Sequence, residues 1–419
     1  MENAAHDGDG GGCTLVRILV VCQRYWPEQF QITSICEGLV GRGHSVTVLA
    51  GLPNVGVPNS EPGIVVPSYR HGAIREEKHN GVRILRTFEV GRRSDIVHRV
   101  LNYYSFWHSA KRKARRLEKD FDVVLAYQLS PAMMAIPAVE YKRVAGAPVL
   151  LYCCDLWPES LKAILGERGK AIISHYGKIC RDMYRAIDRV AIQSPTFTPY
   201  FTDYHNVPSE KLVYIPQFAT DGSEQAAASL PHEGVNLVFM GNMGAVQGIP
   251  MMIEAVSLLG DIKGLMLHFV GDGMMRSEAE KLVSELGMED KVVFHGRKQV
   301  DELLEYYELA DICILSLDDS TLIGTTIPSK LQGYMGAGRA VVGAVSGGAR
   351  YVIEESGCGI ATPPGDARAF ADAIRVLATD SSRRSACAQA ARVYFEENFT
   401  LGAYLDALES ELESLARER

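Results

Sequence analysis

The 419-residue chain has nine cysteines but no CxxC pair and no Cys/His ligand spacing. Cys13, Cys22, Cys36, Cys153, Cys154, Cys180, Cys313, Cys358 and Cys387 are scattered and odd in number. They support neither a zinc site nor a disulfide framework. Cys22 and Cys313 lie inside apolar runs and read as core, so a reducing cytosol is the natural compartment. No apolar run approaches the roughly 20 residues that a membrane-crossing helix needs. Positive charge is in deficit, with 43 Lys and Arg against 51 Asp and Glu and a net charge of −8. That balance argues against a nucleic-acid partner. Residues 1–15, MENAAHDGDGGGCTL, lack the basic and apolar regions of a signal peptide and read as a disordered lead.

What is present is a rhythm. RILVVC at 17–22 reads as a buried strand, 32–43 as a helix ending at Gly43, and HSVTVL at 44–49 as a second strand. This βαβ order implies parallel pairing with a right-handed crossover. The pattern continues with strands at 82–88, 122–127, 148–155, 188–194 and 213–219. Residues 220–234, TDGSEQAAASLPHEG, are small and polar and read as a linker. Strands then resume at 236–241, 265–273, 291–296, 310–317 and 339–345, with helices at 249–259, 276–286, 300–309, 329–337 and 366–378. The expected fold is α/β with two doubly wound Rossmann-like domains facing a central cleft, spanning 16–219 and 235–398. A terminal helix follows at 399–419.

Two strand-end loops of the second half carry the phosphate chemistry. FMGNMGAVQG at 239–248 bares its backbone at Gly241, Gly244 and Gly248. TLIGTTIPSKLQGYMGAG at 321–338 places Gly324 before a Pro-Ser-Lys that opens a helix. Ser329 is a candidate cap behind Pro328, and Gly324 a candidate for close ligand approach. Helix N-termini attract phosphate, and Lys330 adds a full charge. Each loop read alone is also consistent with a tight βα turn that binds nothing. The first half starts CQRYWPE, without a GxGxxG fingerprint, which disfavours hydride chemistry.

In the first half, DLWPES at 155–160 ends a strand. Asp155 could meet sugar hydroxyls or act as a base. Equally, it could cap the next helix, worth about 1 kcal/mol. Glu28, after the first strand, would face the same cleft, or be an ordinary solvated glutamate. Residues 99–116 align Val100, Tyr103, Tyr104, Trp107 and Ala114 on one helical face. Arg99, Lys111, Arg112, Lys113, Arg115 and Arg116 accompany them. That pattern suits an interfacial helix on anionic lipid, or a packed helix with a solvated basic end.

The ordered segments RILVVCQRYWPE, EGLVGRGHSVTVLAG, DLWPES, SPTF, YIPQFA, FMGNMGAVQG, FVGDG, FHGR and IPSKLQGYMGAGRAVV resemble the bacterial family 4 glycosyltransferases of the GT-B fold. More narrowly, they resemble the branch working in capsule, O-antigen and exopolysaccharide assembly. The resemblance implies transfer from a nucleotide-sugar, usually a UDP-sugar, to a saccharide or polyprenyl-diphosphate-linked acceptor, with retention and without a metal or cofactor. It places the donor mainly on the C-terminal half, against Gly241, Asn242, Gly244, Gln247, Gly271, Asp272, Arg297, Gly324, Thr325, Thr326, Ser329 and Lys330. The acceptor falls to the N-terminal half, with Asp155 and Glu28 as catalytic candidates. The membrane or acceptor side would be Tyr103, Tyr104, Trp107, Lys111, Arg112 and Arg115. The protein is then cytoplasmic, with a peripheral position on the inner leaflet as the variant. Many members carry two spaced glutamates in the donor site, and here Thr325 and Gly333 stand in their places. Asn242 and Gln247 replace the usual Arg and Lys of the phosphate loop. Alternative readings are a UDP-sugar 2-epimerase and a non-catalytic nucleotide-sugar-binding subunit.

Overall fold

The computed structural model describes residues 15–58, 60–165, 169–219, 221, 230–299, 302–320 and 322–419. The expected lead, except Leu15, and the expected linker, except Asp221 and 230–234, lie outside the described residues. The N-terminal half builds β1 (Arg17–Val21), α1 (Ile32–Gly41), β2 (Ser45–Ala50), β3 (Glu76–His79), β4 (Val82–Arg86) and α2 (Ile96–Ala114). It continues with β5 (Val123–Gln128), α3 (Ile136–Ala145), β6 (Val149–Cys153), α4 (Glu159–Leu165), α5 (Lys170–Ala186), β7 (Arg189–Ile192) and β8 (Leu212–Tyr214). The C-terminal half builds β9 (Val235–Met240), α6 (Ile249–Ser257), β10 (Leu265–Val270), α7 (Arg276–Glu285), β11 (Val292–Gly296) and α8 (Leu303–Leu309). It then adds β12 (Ile312–Ser316), α9 (Ser329–Gly336), β13 (Ala340–Ala344), α10 (Gly347–Ser356), β14 (Gly359–Thr362) and α11 (Ala367–Thr379). Finally α12 (Ser381–Asn398) leads into α13 (Leu401–Arg417).

The apolar runs are strands because both sheet faces are covered, as parallel sheets require. In β1, Ile18 and Val20 face α1 and α13, in a core with Ile35, Leu408 and Leu412. Leu19 and Val21 face the other side, with Phe106, Tyr141 and Tyr184 of α2, α3 and α5. The same alternation holds in β9. Leu237 and Phe239 join Met252 and Ile374, whereas Val238 and Met240 join Tyr334 and Phe395. Sheet orders are β3-β4-β2-β1-β5-β6-β7-β8 and β11-β10-β9-β12-β13-β14. All pairings are parallel except β3 with β4. The order reverses between β1 and β5 and again between β9 and β12, which opens a crevice at the carboxyl ends of those strands. The structure thus contains the two doubly wound α/β units that the rhythm predicts. It adds β3, β14, α10 and α12, which the rhythm misses, and it shortens the expected strand at 213–219 to Leu212–Tyr214.

The chain crosses back at its end. α12 packs on α9 and β13, whereas α13 packs on α1, β5 and β6 of the other half. The outgoing and returning segments touch where Ala219 N–H donates to the Phe399 carbonyl at 2.9 Å. α13 is held by a clasp. Val16 N–H donates to His44 Nδ1 at 3.2 Å, so the network assigns the ring proton to Nε2, which meets Glu409 at 2.6 Å. Arg42 reaches Glu409 and Asp406, each at 2.6 Å, and the Gly402 carbonyl. His44, Glu409 and Glu413 gather donor atoms within 4.8 Å. Both His44 nitrogens are already engaged, so this cluster is a clasp rather than a metal site.

Glu409→Ala leaves the buried His44 N–H without an acceptor, which costs about 1–3 kcal/mol. Asp406 is mostly exposed, so Asp406→Ala costs under about 1 kcal/mol. Urea midpoints with an unchanged slope check the pair. A Glu409→Ala midpoint equal to that of wild type would show that the clasp contributes nothing.

Candidate active site

The β9–α6 loop lies at the second switch point. Gly241 has φ 133° and Gly248 φ 58°, both in the region that favours glycine. Between them Ala245–Gln247 form a 3₁₀ turn, and Pro250 enters the first turn of α6. The loop is buttressed by its neighbour. Met243 N–H donates to the Asp272 carbonyl at 2.9 Å, and a Cβ on Gly271 would collide with the Gly241 carbonyl. Asp272 turns its carboxylate onto the Gly273 N–H at 2.8 Å. Gly271 and Asp272 therefore hold the loop from behind. Asn242 folds its amide over Gly244.

Lys330 comes from the first turn of α9. Its ammonium lies 4.2 Å above the Phe239 ring centroid and donates to Gln247 Oε1. It is also within 3.5 Å of where a Gly241 Cβ would be. No carboxylate pairs with it among the described residues. Burial alone lowers its pKa from the ordinary lysine value to about 8. Among the described residues this half-buried amine has only a neutral amide and an aromatic ring for company, a setting that favours an anion.

The cap of α9 differs from expectation. Pro328 occupies the N-cap position with extended backbone, and no side chain caps the helix. Ser329 is the first helical residue and is exposed. Proline lacks a hydroxyl, so among the described residues the Ser329 and Lys330 N–H groups have no partner, whereas Leu331 N–H turns back to the Pro328 carbonyl at 3.0 Å. Gly324 also differs: it is buried, and a Cβ there would strike the Asp318 carbonyl. Its smallness serves the turn at Leu322–Thr325 rather than ligand approach. Thr326 is half-buried and engaged. The Thr325 side chain lies outside the described residues. Arg297 is exposed beyond β11, the outer strand of the sheet, and makes no described contact with the β9–α6 loop.

Across the cleft, Asp155 follows β6. Ser130 Oγ donates to Asp155 Oδ2 at 2.6 Å and accepts from Trp157 Nε1 at 2.9 Å. Gln128 Nε2 donates to the Asp155 carbonyl at 2.8 Å. α4 starts four residues later, at Glu159, so Asp155 does not cap it. Leu322 packs on the core cluster that contains Leu156 and Trp157, and Gly348 abuts the Ser194 hydroxyl. The β6 and β7 ends therefore oppose the loop that carries Lys330.

Glu28 takes no such place. It is 3% exposed, and its carboxylate accepts from the Asn54, Val55 and Tyr25 N–H groups and from Arg24. It pins the loop after β2, and its burial is at odds with the expected cleft position. Arg24 also pairs with Glu89 at 2.8 Å, and Gln23 bridges Glu89 and Asn102 at 2.8 and 2.9 Å. Burial is the main cause that raises Glu89 to about 7. This network escaped the sequence reading, although Glu89 directly follows a strand, as Asp155 does.

The expected face of α2 is also corrected. Its buried stripe is Asn102, Phe106, Ala110 and Ala114. Tyr103, Tyr104 and Trp107 are half-buried, and Tyr104 meets Tyr176 at 3.2 Å. Lys111 and Arg115 pair with Glu140 at 3.6 and 2.7 Å, and Lys113 donates to the Arg86 carbonyl. Arg112 remains exposed. The large exposed apolar side chains of α2 are instead Ile96, Val97, Val100 and Leu101. Among the described residues no helix is long and apolar enough to cross a membrane.

Two family models match, "Glycosyl transferase 4-like domain" over residues 29–217 and "Glycosyl transferases group 1" over 234–380. The probable glycosyltransferase WbjE of Pseudomonas aeruginosa is 24% identical over 383 residues, 86% of this chain and 89% of that one. The lipopolysaccharide core biosynthesis glycosyltransferase LpsE of Rhizobium meliloti is 27% identical over 184 residues, 44% of this chain and 51% of that one. Among solved structures, HepE of Anabaena in complex with UDP aligns with TM-score 0.65 at 15% identity, over 95% of this chain and 100% of that one. WaaG, a glycosyltransferase involved in lipopolysaccharide biosynthesis, aligns with TM-score 0.60 at 15% identity, over 94% and 99%. With both domain models matched in order along two facing parallel-sheet units, the chain belongs to the bacterial family 4 glycosyltransferases of the GT-B fold.

Proposed function

We propose that the chain transfers a sugar from a UDP-sugar to an acceptor hydroxyl in cell-surface polysaccharide assembly, with retention at the anomeric carbon. The observation that carries this reading is Lys330, a half-buried amine with no carboxylate partner among the described residues, beside a helix start that no side chain caps. A leaving nucleoside diphosphate supplies the missing charge. Lys330 and the first N–H groups of α9 form preorganised positive potential where that charge develops, and the glycines at 241 and 248 let the β9–α6 loop turn beside them. The likeness to LpsE, a lipopolysaccharide core biosynthesis glycosyltransferase, supports a polysaccharide role, and the UDP in the HepE structure supports the nucleotide. The acceptor is a saccharide or a polyprenyl-diphosphate-linked saccharide, and in the second case the enzyme works against the inner leaflet.

No carboxylate among the described residues is placed as an evident nucleophile, so the acceptor attacks from the face that the diphosphate leaves. A phosphate oxygen then takes the acceptor proton. Asp155, oriented by Ser130, aligns the acceptor hydroxyl or the donor sugar. Closure of the two halves excludes water from the cationic centre.

Three outcomes follow. Lys330→Ala weakens UDP binding by about 1.5–3 kcal/mol, the value of a charged hydrogen bond. Calorimetry reads it, and unchanged affinity removes Lys330 from the site. Next, phosphate contact raises the Lys330 pKa, so the complex takes up a proton. Wild-type UDP affinity is then full below pH 8 and falls as pH rises above about 8. The Lys330→Ala protein lacks that decline, and a flat wild-type profile between pH 7 and 10 contradicts the assignment. Last, Asp155→Asn lowers kcat about 10²–10³-fold while UDP affinity stays within twofold. Turnover within a few-fold of wild type would leave Asp155 a structural residue.

A further inference from the structure

A second recess lies on the N-terminal half, at the carboxyl ends of β2 and β4. It encloses about 830 Å³ between the 63–75 segment and the connection from β4 to α2. Arg70, Arg75 and Arg93 line it and are exposed. Arg70 Nε donates to the Val65 carbonyl and Arg75 Nε to the Gly72 carbonyl, so neither guanidinium is neutralised. None of the three has a carboxylate partner among the described residues. The acid that lines it and two of those around it are committed, and Glu61 lies with Arg93 in an adjoining hollow. Glu89 is held by Arg24, Gln23 and Asn54, Glu77 by Arg86 at 2.7 Å, and Asp95 by His98 at 2.8 Å. The recess is therefore positive despite the negative charge of the whole chain.

Its rim is apolar. Phe88 is 64% exposed, and a second cationic hollow with Arg112 and Arg116 continues on its far side. From the same rim α2 starts with Ile96 at 76% and Val97 at 65% exposed, followed by Val100 and Leu101. Four consecutive-turn apolar side chains in water have no structural use here, since the buried stripe of α2 runs through Asn102 and Phe106. Concave unpaired guanidiniums beside a bare aliphatic strip match a ligand with clustered phosphate charge at one end and hydrocarbon at the other. A free phosphate or a sugar phosphate has no use for the strip.

We propose that this recess binds the diphosphate of an isoprenoid-diphosphate-linked acceptor, with Arg70, Arg75 and Arg93 around the phosphates and the isoprenoid along Phe88 and the first turns of α2. This rests on the transferase reading above and names the subsite of its acceptor. The diphosphate then sits at the same sheet edge as Asp155, so a sugar carried on it extends toward the cleft.

Farnesyl diphosphate is the probe, titrated calorimetrically into the full chain with saturating UDP so that the Lys330 site is filled. Inorganic pyrophosphate and farnesol are the separate arms. Wild type binds farnesyl diphosphate more tightly than either arm, and UDP does not displace it. Arg70→Gln with Arg93→Gln weakens it about 10–100-fold, as loss of two charge-assisted contacts requires. Phe88→Ser weakens farnesyl diphosphate but leaves pyrophosphate unchanged. These positions are exposed, and melting curves confirm that the variants fold. Displacement by UDP would mean that the probe reads the donor site, and the proposal fails. It fails equally if the arginine pair has no effect. Pyrophosphate as tight as farnesyl diphosphate identifies a free-phosphate site and overturns the lipid assignment. UDP titration of the same proteins reports on the donor site by itself, so that reading and this one fall separately.

Discussion

Parallel strands can be joined only by crossovers, and that constraint decides where the chemistry lies. Each crossover returns the chain to the amino end of the next strand, so the loops that leave strands collect along one edge of each sheet. Lys330 follows β12, the glycine loop follows β9, Asp155 follows β6, and the arginine-lined recess follows β2 and β4. Only the edges facing each other can share a ligand. The contacts of Leu322 with the Trp157 cluster and of Gly348 with Ser194 show that these edges do face. The return of α13 keeps them so, because the last helix of the chain is part of the first sheet's core.

Much of this was legible because doubly buried strands are written as continuous apolar runs. The elements that were missed lack that signature for specific reasons. β3 is EEKH, a charged antiparallel edge strand of the kind that discourages further pairing. α12 buries Cys387, Ala391 and Phe395, a stripe so small in its first two members that its periodicity is faint. α10 opens on Gly347 and Gly348, which read as a turn. On α2 the aromatic stripe was misleading because the true buried stripe includes Asn102. That amide is wholly buried and binds Gln23, Arg24 and the Val90 carbonyl. A polar side chain on a core stripe is invisible to a hydrophobic pattern until its partners are known.

The site residues divide the same way. That Lys330 would lie beside the loop at 241–248 was legible, since both leave neighbouring strand ends of one sheet. Ser329 was misjudged by one position, because a serine after proline looks like a cap while proline itself occupies that place. Glu28 was misjudged because nothing local announces that two backbone N–H groups of a distant loop, from Asn54 and Val55, join the nearby Tyr25 N–H on it. Glu89 was overlooked for the same reason. Their partners are 26 to 79 residues away for the contacts Glu28–Asn54, Glu89–Gln23 and Gln23–Asn102.

The two buried charge systems then obey one rule with opposite results. Arg24 faces two carboxylates, so the cluster carries one negative charge too many. Burial raises Glu89 to about 7, where a proton can supply the balance. Both carboxylates of that network still have partners inside the protein, Glu89 from Arg24, Gln23 and Asn54 and Glu28 from Arg24 and three backbone N–H groups. It is complete without a ligand, and it stiffens the wall of the recess that Glu89 lines. Lys330 carries the opposite excess, and burial lowers it to about 8. Its one polar partner among the described residues is the neutral Gln247, and the helix start beside it adds positive potential instead of relieving it. Losing a proton would neutralise the amine but leave the helix start open. An anion satisfies both at once, which separates a binding site from a satisfied core although the two pKa shifts share one cause.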